Sequence, residues 1–155
     1  PEYVHTVVSC YKEAIASVLE GTFTEEKKDA WDERLATVFN RGFWDGYYQG
    51  QTIGEWNKNY GSCATEKKVL VGKVVKYFSK LGVAEVAVEA SEFGVGDKLL
   101  VTGNATGALW LTADEIRYDL KPVERALQRQ RVSIPVPEKV RPNDKLYRID
   151  IVNPE

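Results

Sequence analysis

From Thr65 onward the chain breaks into short apolar stretches separated by turn residues roughly every ten positions, and that rhythm restricts the fold more than any other feature. In residues 83–90, Ala84, Val86, Val88 and Ala90 alternate with Glu85 and Glu89, the pattern of a strand with one face buried and one in water. Residues 69–77 are rich in Val and interrupted by Gly72, and Gly96-Asp97 and Gly103-Asn104 supply turns on either side of residues 98–102. Leu109, Leu111 and Ile116 continue the series. Residues 131–136 set Val132, Ile134 and Val136 on one face, and residues 145–151 set Tyr147, Ile149 and Ile151 on one face. About six short antiparallel strands in residues 68–151 are expected, with Val86, Val88, Val101, Val132, Ile134 and Ile149 inside. A closed barrel is the expected form, because closure leaves no edge strands.

The first part of the chain has a different period. Val4, Val7, Val8, Tyr11, Ile15, Val18 and Leu19 recur every three or four residues and predict a helix over residues 3–19 that stops at Gly21. Thr24 is a suitable N-cap for a second helix, with Glu25 and Glu26 in its first turn and Trp31, Leu35 and Val38 on its buried side. The chain thus reads as a helical hairpin (1–38), a connector (39–65) and a β domain (66–155), an α+β fold that is mainly β. The connector holds seven aromatic residues, Phe39, Phe43, Trp44, Tyr47, Tyr48, Trp56 and Tyr60, among five glycines, so long regular helix is not expected there. With no Met in the sequence and no cap before the first helix, the expectation is a domain cut from a longer protein.

Composition excludes several kinds of chemistry. With His5 as the single histidine, no His-rich zinc centre is expected, and Cys10 and Cys63 lack metal-ligand spacing. Cys10 lies near the apolar stripe of the first helix, and Cys63 has no fixed cationic neighbour to lower its pKa. Asp114-Glu115 falls in a turn and reads as solvated. No nucleophile–base–orienter set can be assembled, so intrinsic catalysis, cofactor and metal are not expected. No apolar run approaches the ~20 residues of a membrane span, and neither leader nor membrane contact is expected; a cytoplasmic location is.

Two groups of residues have a functional reading beside a plainer one. Arg41 precedes Gly42, where the plain reading is a helix end with Arg41 bonding the last carbonyls, and the functional one is a phosphate or carboxylate grip. Residues 121–148 carry a net charge of +5 while the whole chain is at −2, so the rest is at −7. Arg131, Arg141, Lys145 and Arg148 are the residues of that segment expected to steer a polyanion such as RNA. The plainer reading makes them solvated strand edges.

The segment Phe39-Asn40-Arg41-Gly42-Phe43-Trp44-Asp45-Gly46-Tyr47-Tyr48-Gln49-Gly50 resembles the Arg-Gly-Phe segment in the C-terminal part of the collagenase-like peptidase family (class U, family thirty-two). Val71-Gly72-Lys73-Val74, Val95-Gly96-Asp97, Gly103 with Thr106-Gly107, and Arg141-Pro142-Asn143-Asp144-Lys145-Leu146-Tyr147-Arg148 are similar to the family's C-terminal barrel, itself like domain 2 of translation elongation GTPases. Within the family, the members resembling the bacterial tRNA uridine 5-hydroxylation protein are the nearest match. The resemblance implies a non-catalytic accessory domain that binds or presents substrate, structured RNA such as tRNA, to an upstream catalytic domain. A substrate-binding domain of a true peptidase acting on protein substrates is the alternative. The family's catalytic signature is not in this sequence, so no catalytic residue carries over.

Overall fold

The computed structural model describes residues 2–43 and 62–152. The chain divides into two compact units, one made mainly of residues 67–150 and the other of residues 3–66 with the C-terminal five residues. The aromatic and glycine-rich stretch from Trp44 to Gly61 lies outside the described residues.

The helical unit begins with α1 (Glu2–Leu19) and α2 (Glu25–Ala36), the two helices expected. Thr24 is the N-cap of α2, its hydroxyl accepting from the Lys27 amide at 3.3 Å. Small residues let the hairpin close: Cys10 and Ser17 are the buried residues of α1, and Ser17 Oγ meets both Thr22 Oγ1 (3.2 Å) and Lys27 Nζ (3.4 Å). Glu13 ties the helices together, accepting from Trp31 Nε1 at 3.1 Å and from both terminal nitrogens of Arg34 at 2.6 and 3.1 Å. The large apolar residues of α1 do not form the buried face of the hairpin. Val4, Val8, Tyr11, Ile15 and Val18 are all exposed.

The β unit contains β1 (Glu66–Phe78), β2 (Val83–Val88), β3 (Phe93–Gly94), β4 (Lys98–Gly103), β5 (Gly107–Thr112), β6 (Ile116–Tyr118), β7 (Lys121–Val123), β8 (Arg125–Ala126), β9 (Arg131–Pro135) and β10 (Lys145–Ile151). Eight of them form a sheet in the order β5-β4-β10-β1-β2-β9-β6-β7, with β3 and β8 as a separate two-stranded ribbon. The core is Val71, Val74, Val86, Val88, Phe93, Leu99, Val101, Ile116, Val132, Ile134 and Leu146, with smaller neighbours. Gly72 is needed where β1 crosses β2, since a Cβ there would overlap the Ala87 carbonyl oxygen.

Three expectations need correction. About six short strands were expected, and ten are present among the described residues, β1 being 13 residues long and the others short. The barrel is not closed: β5 and β7 end the sheet without pairing to each other. Pro122 sits in the middle of the three-residue β7 and has no N–H to donate, so that strand cannot carry a ladder onward. The turn after β3 bridges the gap instead, with the Val95 amide donating to the Glu124 carbonyl and the Gly96 amide to the Ala113 carbonyl, both at 2.9 Å. Finally, β10 faces the other way from the alternation of Tyr147, Ile149 and Ile151. Leu146 is the fully buried residue, opposite Val101, while Tyr147 and Ile149 are half-buried and Ile151 is exposed. The other five expected core residues are buried.

Candidate functional site

The turn that launches β10 is the best-defined polar site of the β unit. Pro142 and Asn143 occupy its centre, and Asn143 has φ of 70°, the pattern of a type II turn. The turn is docked on β1, the Asn143 amide donating to the Val74 carbonyl and the Val74 amide to the Asp144 carbonyl, each at 2.8 Å. The Asp144 side chain is buried, and its Oδ2 accepts from the Arg141 amide at 2.8 Å and from the Thr106 hydroxyl at 2.5 Å. Gly103 leaves room for this carboxylate, because a Cβ at that position would overlap Asp144 Oδ1. A buried carboxylate thereby fastens residues 141–144 to the β4–β5 turn, and Arg141 and Lys145 are held at its two ends with their side chains in solvent.

The basic candidates of residues 121–148 are divided between β9, β10 and the turn before β10. Lys145 lies opposite Thr102 at the start of β10. Arg131 lies on β9, and β1 and β2 stand between these two strands. Arg131 pairs across from Ala87, which pairs across from Lys73, so its row is shared with β1 and β2. Carboxylates thin the charge of that row, with Glu89 2.9 Å from Lys73 and Glu85 3.9 Å from Arg131. Arg148 is committed elsewhere. Its Nε and Nη2 donate to the two oxygens of Asp150 at 2.6 and 2.9 Å, and its Nη1 donates to the Glu92 carbonyl at 2.6 Å. The hydrogen bonds from Arg148 hold the Asp150 carboxyl below its usual range. The Glu92 carbonyl that engages Arg148 lies 56 residues away, and no local pattern announces it.

Arg41 belongs to the helical unit and is exposed. The carbonyls at the end of α2 are bonded by Asn40, not Arg41: its Nδ2 donates to Ala36 O at 3.2 Å and Val38 O at 2.9 Å. Gly42 takes φ of 94° and donates its amide to Asn40 Oδ1 at 3.0 Å. The sequence reading missed Asn40, which lies three residues past the Thr37 C-cap and bonds these carbonyls through its side chain.

The reactive residue types are not assembled. Cys10 is buried in the hairpin with Sγ 4.0 Å from the Trp31 carbonyl oxygen, and burial pushes its thiol pKa up, away from the nucleophilic thiolate. Cys63 is exposed in the helical unit. Among the described residues, no group of three His, Cys, Asp or Glu is placed to hold a metal ion, and no helix is long and apolar enough to cross a membrane.

The described residues thus comprise a helical hairpin and a mainly antiparallel β unit whose β10 starts from a turn fixed on a buried carboxylate. Residues 1–58 match peptidase family U32. The chain is 59% identical over 150 residues, 97% of its length, to two sequences of Porphyromonas gingivalis named collagenase, covering 36% and 42% of them. It is 29% identical over 153 residues to an uncharacterized protease of Methanocaldococcus jannaschii, covering 94% of this chain and 36% of that one. A solved C-terminal domain from a Geobacillus thermoleovorans protein described as a U32 peptidase aligns with a TM-score of 0.49 at 20% identity, over 51% of this chain and 90% of that one. The likeness read from the sequence to the collagenase-like peptidases is thus met by the U32 family match of residues 1–58 and by relatives named collagenase that resemble 97% of this chain. The chain spans about two fifths or less of the curated relatives it matches.

Proposed function

We propose that this chain is a non-catalytic accessory region of a longer peptidase family U32 protein, and that it holds substrate for a catalytic domain elsewhere in that protein. The observation that carries the reading is the pair of solvent-facing cations, Arg141 and Lys145, at the two ends of a turn locked by the buried Asp144. Neither side chain has a carboxylate partner among the described residues, so neither must leave an ion pair to meet an anion. A rigid basic turn suits the phosphate backbone of structured RNA such as tRNA, where point charges on a fixed frame position the ligand. The likeness to tRNA hydroxylation proteins read from the sequence belongs to this proposal. Arg131, with Glu85 at 3.9 Å, is a secondary contact, and Arg41 is a separate contact on the helical unit.

A second reading is favoured by one specific observation, the name collagenase on relatives at 59% identity. In it the same module holds a protein substrate. Electrophoretic shift of tRNA and of denatured collagen by the protein, side by side across a salt series, separates the two. Retardation of tRNA that weakens steeply with salt supports the first. Retardation of denatured collagen alone replaces it with the second.

A further inference from the structure

β6 and β7 are joined by a two-residue turn, Asp119-Leu120, closed by the pairing of Tyr118 with Lys121. Both turn residues lie in the left-handed region, at φ of 50° and 63°, as the favoured turn of a hairpin this short requires. Glycine suits the second position best, because a side chain there strains the backbone. The sequence has Leu120 instead, and it is 87% exposed, so it adds little to the core. Tyr118 continues the inward face of β6 two residues past the fully buried Ile116, opposite the buried Val132 of β9, yet it is 43% exposed. It therefore stands half on the edge of the core and half in water. Its pairing with Val132 brings the start of β9 beside the turn, and Arg129 and Arg131 lie just before Val132. Arg129 is left-handed too, at φ of 72°, so three of the four such non-glycine residues among the described ones gather at this end of the sheet. Lys121, Arg129 and Arg131 are exposed, and neither Lys121 nor Arg129 has an ion-pair partner among the described residues. Residues 118–121 and 129–131 together carry a net charge of +2.

An apolar tip, a half-exposed tyrosine and free cations at one end of a sheet complement a ligand with flat apolar faces on an anionic backbone. An unpaired nucleotide of RNA has both: every base offers a face to an aromatic ring, and the phosphates on either side meet cations. A duplex offers the phosphates but keeps its base faces stacked, so Tyr118 would add nothing there. We infer that the β6–β7 tip is a second RNA contact, where Tyr118 stacks on an unpaired base, Leu120 packs beside it, and Lys121 and Arg129 meet the flanking phosphates. This rests on the RNA reading above and deepens it, because it requires a substrate with single-stranded bases. In the sheet order, β1, β2 and β9 separate this tip from the strand that carries Lys145, so the two contacts can be altered independently.

The test compares binding of the protein to a short oligoadenylate and to an abasic oligonucleotide of equal length, which keeps the phosphates and lacks the bases. The wild type should bind the oligoadenylate more tightly, by about fivefold or more. Tyr118→Leu, which keeps the apolar bulk, should abolish that ratio, and Tyr118→Phe should retain it. Leu120→Gly should lower the ratio without lowering the urea midpoint, because it relieves the left-handed strain. Arg141→Ala/Lys145→Ala should weaken both oligonucleotides alike and leave the ratio as it is. Equal binding of the two oligonucleotides by the wild type, or a ratio that survives Tyr118→Leu, overturns the inference. So does a lowered urea midpoint with an unchanged ratio in Tyr118→Leu and Leu120→Gly, the result expected if residues 44–61 or another part of the chain cover the tip. Binding of poly-glutamate that depends on Tyr118, where binding of oligoadenylate does not, also overturns it and assigns the tip to an acidic protein segment. If tRNA is retarded with a steep salt dependence while the two oligonucleotides bind equally, this inference fails and the substrate reading stands. If neither tRNA nor the oligonucleotides are bound, both fail.

Discussion

The hydroxyl of Thr106 donates to the buried Asp144 carboxylate at 2.5 Å across 38 residues of sequence, joining the β4–β5 turn to the turn that starts β10. Removing the carboxylate leaves that hydroxyl and the Arg141 amide without their acceptor. Asp144→Ala is expected to lower stability by about 2–3 kcal/mol, and Thr106→Val by about 1 kcal/mol. Urea denaturation of the two variants checks the order. Equal and small losses would show that the carboxylate is not the fastener.

Gly72 lies where a side chain would meet backbone rather than a movable side chain, the Ala87 carbonyl on β2. Gly72→Ala is expected to destabilise by roughly 3 kcal/mol, the upper end for overpacking, because a strand must shift to relieve it. A urea midpoint close to the wild type would contradict the close crossing of β1 and β2.

Asp150 has its carboxyl pKa lowered chiefly by the hydrogen bonds from Arg148. Its stabilising effect is complete above the unfolded-state value of about 3.9 and is lost as pH falls through the lower folded-state value. The pair is partly exposed, at 23% and 38% of the two side chains, so solvent screening keeps the effect under ~1 kcal/mol. Asp150→Asn should therefore be slightly less stable than the wild type at neutral pH, with the difference shrinking below about pH 4. Thermal melts of both proteins between pH 7 and pH 2 check the sign.

The parts of the fold that were legible in the sequence are those fixed by local chemistry. Thr24 caps α2 through its own neighbour's amide, and the alternation of Val132 and Ile134 has polar or outward residues between to define the face. Where two adjacent residues are both apolar, the period no longer determines a face. Leu146 and Tyr147 are such a pair, and the Asp144 turn with the pairing of Leu146 to Val101 decides which points inward. On α1, hydrophobicity marks a face that stays exposed, while the buried residues, Cys10 and Ser17, are small ones that the apolar period does not single out. The basic segment was legible as charge but not as surface. The acceptor carbonyl for Arg148 comes from Glu92, and the strands separating Arg131 from Lys145 come from earlier in the chain.

The central claim is that Arg141 and Lys145 hold a phosphate backbone from a turn whose rigidity does not depend on their charges. Each phosphate neutralised on an RNA duplex or single strand releases counterions, giving a log–log salt slope of about 0.7–0.9 per contact. The direct measurement is tRNA affinity against salt for the wild type and for Arg141→Ala/Lys145→Ala. The account expects weaker binding, a slope shallower by up to about two, and a urea midpoint shifted by the equivalent of no more than ~0.5 kcal/mol per site. An unchanged slope and affinity in the double variant would contradict it.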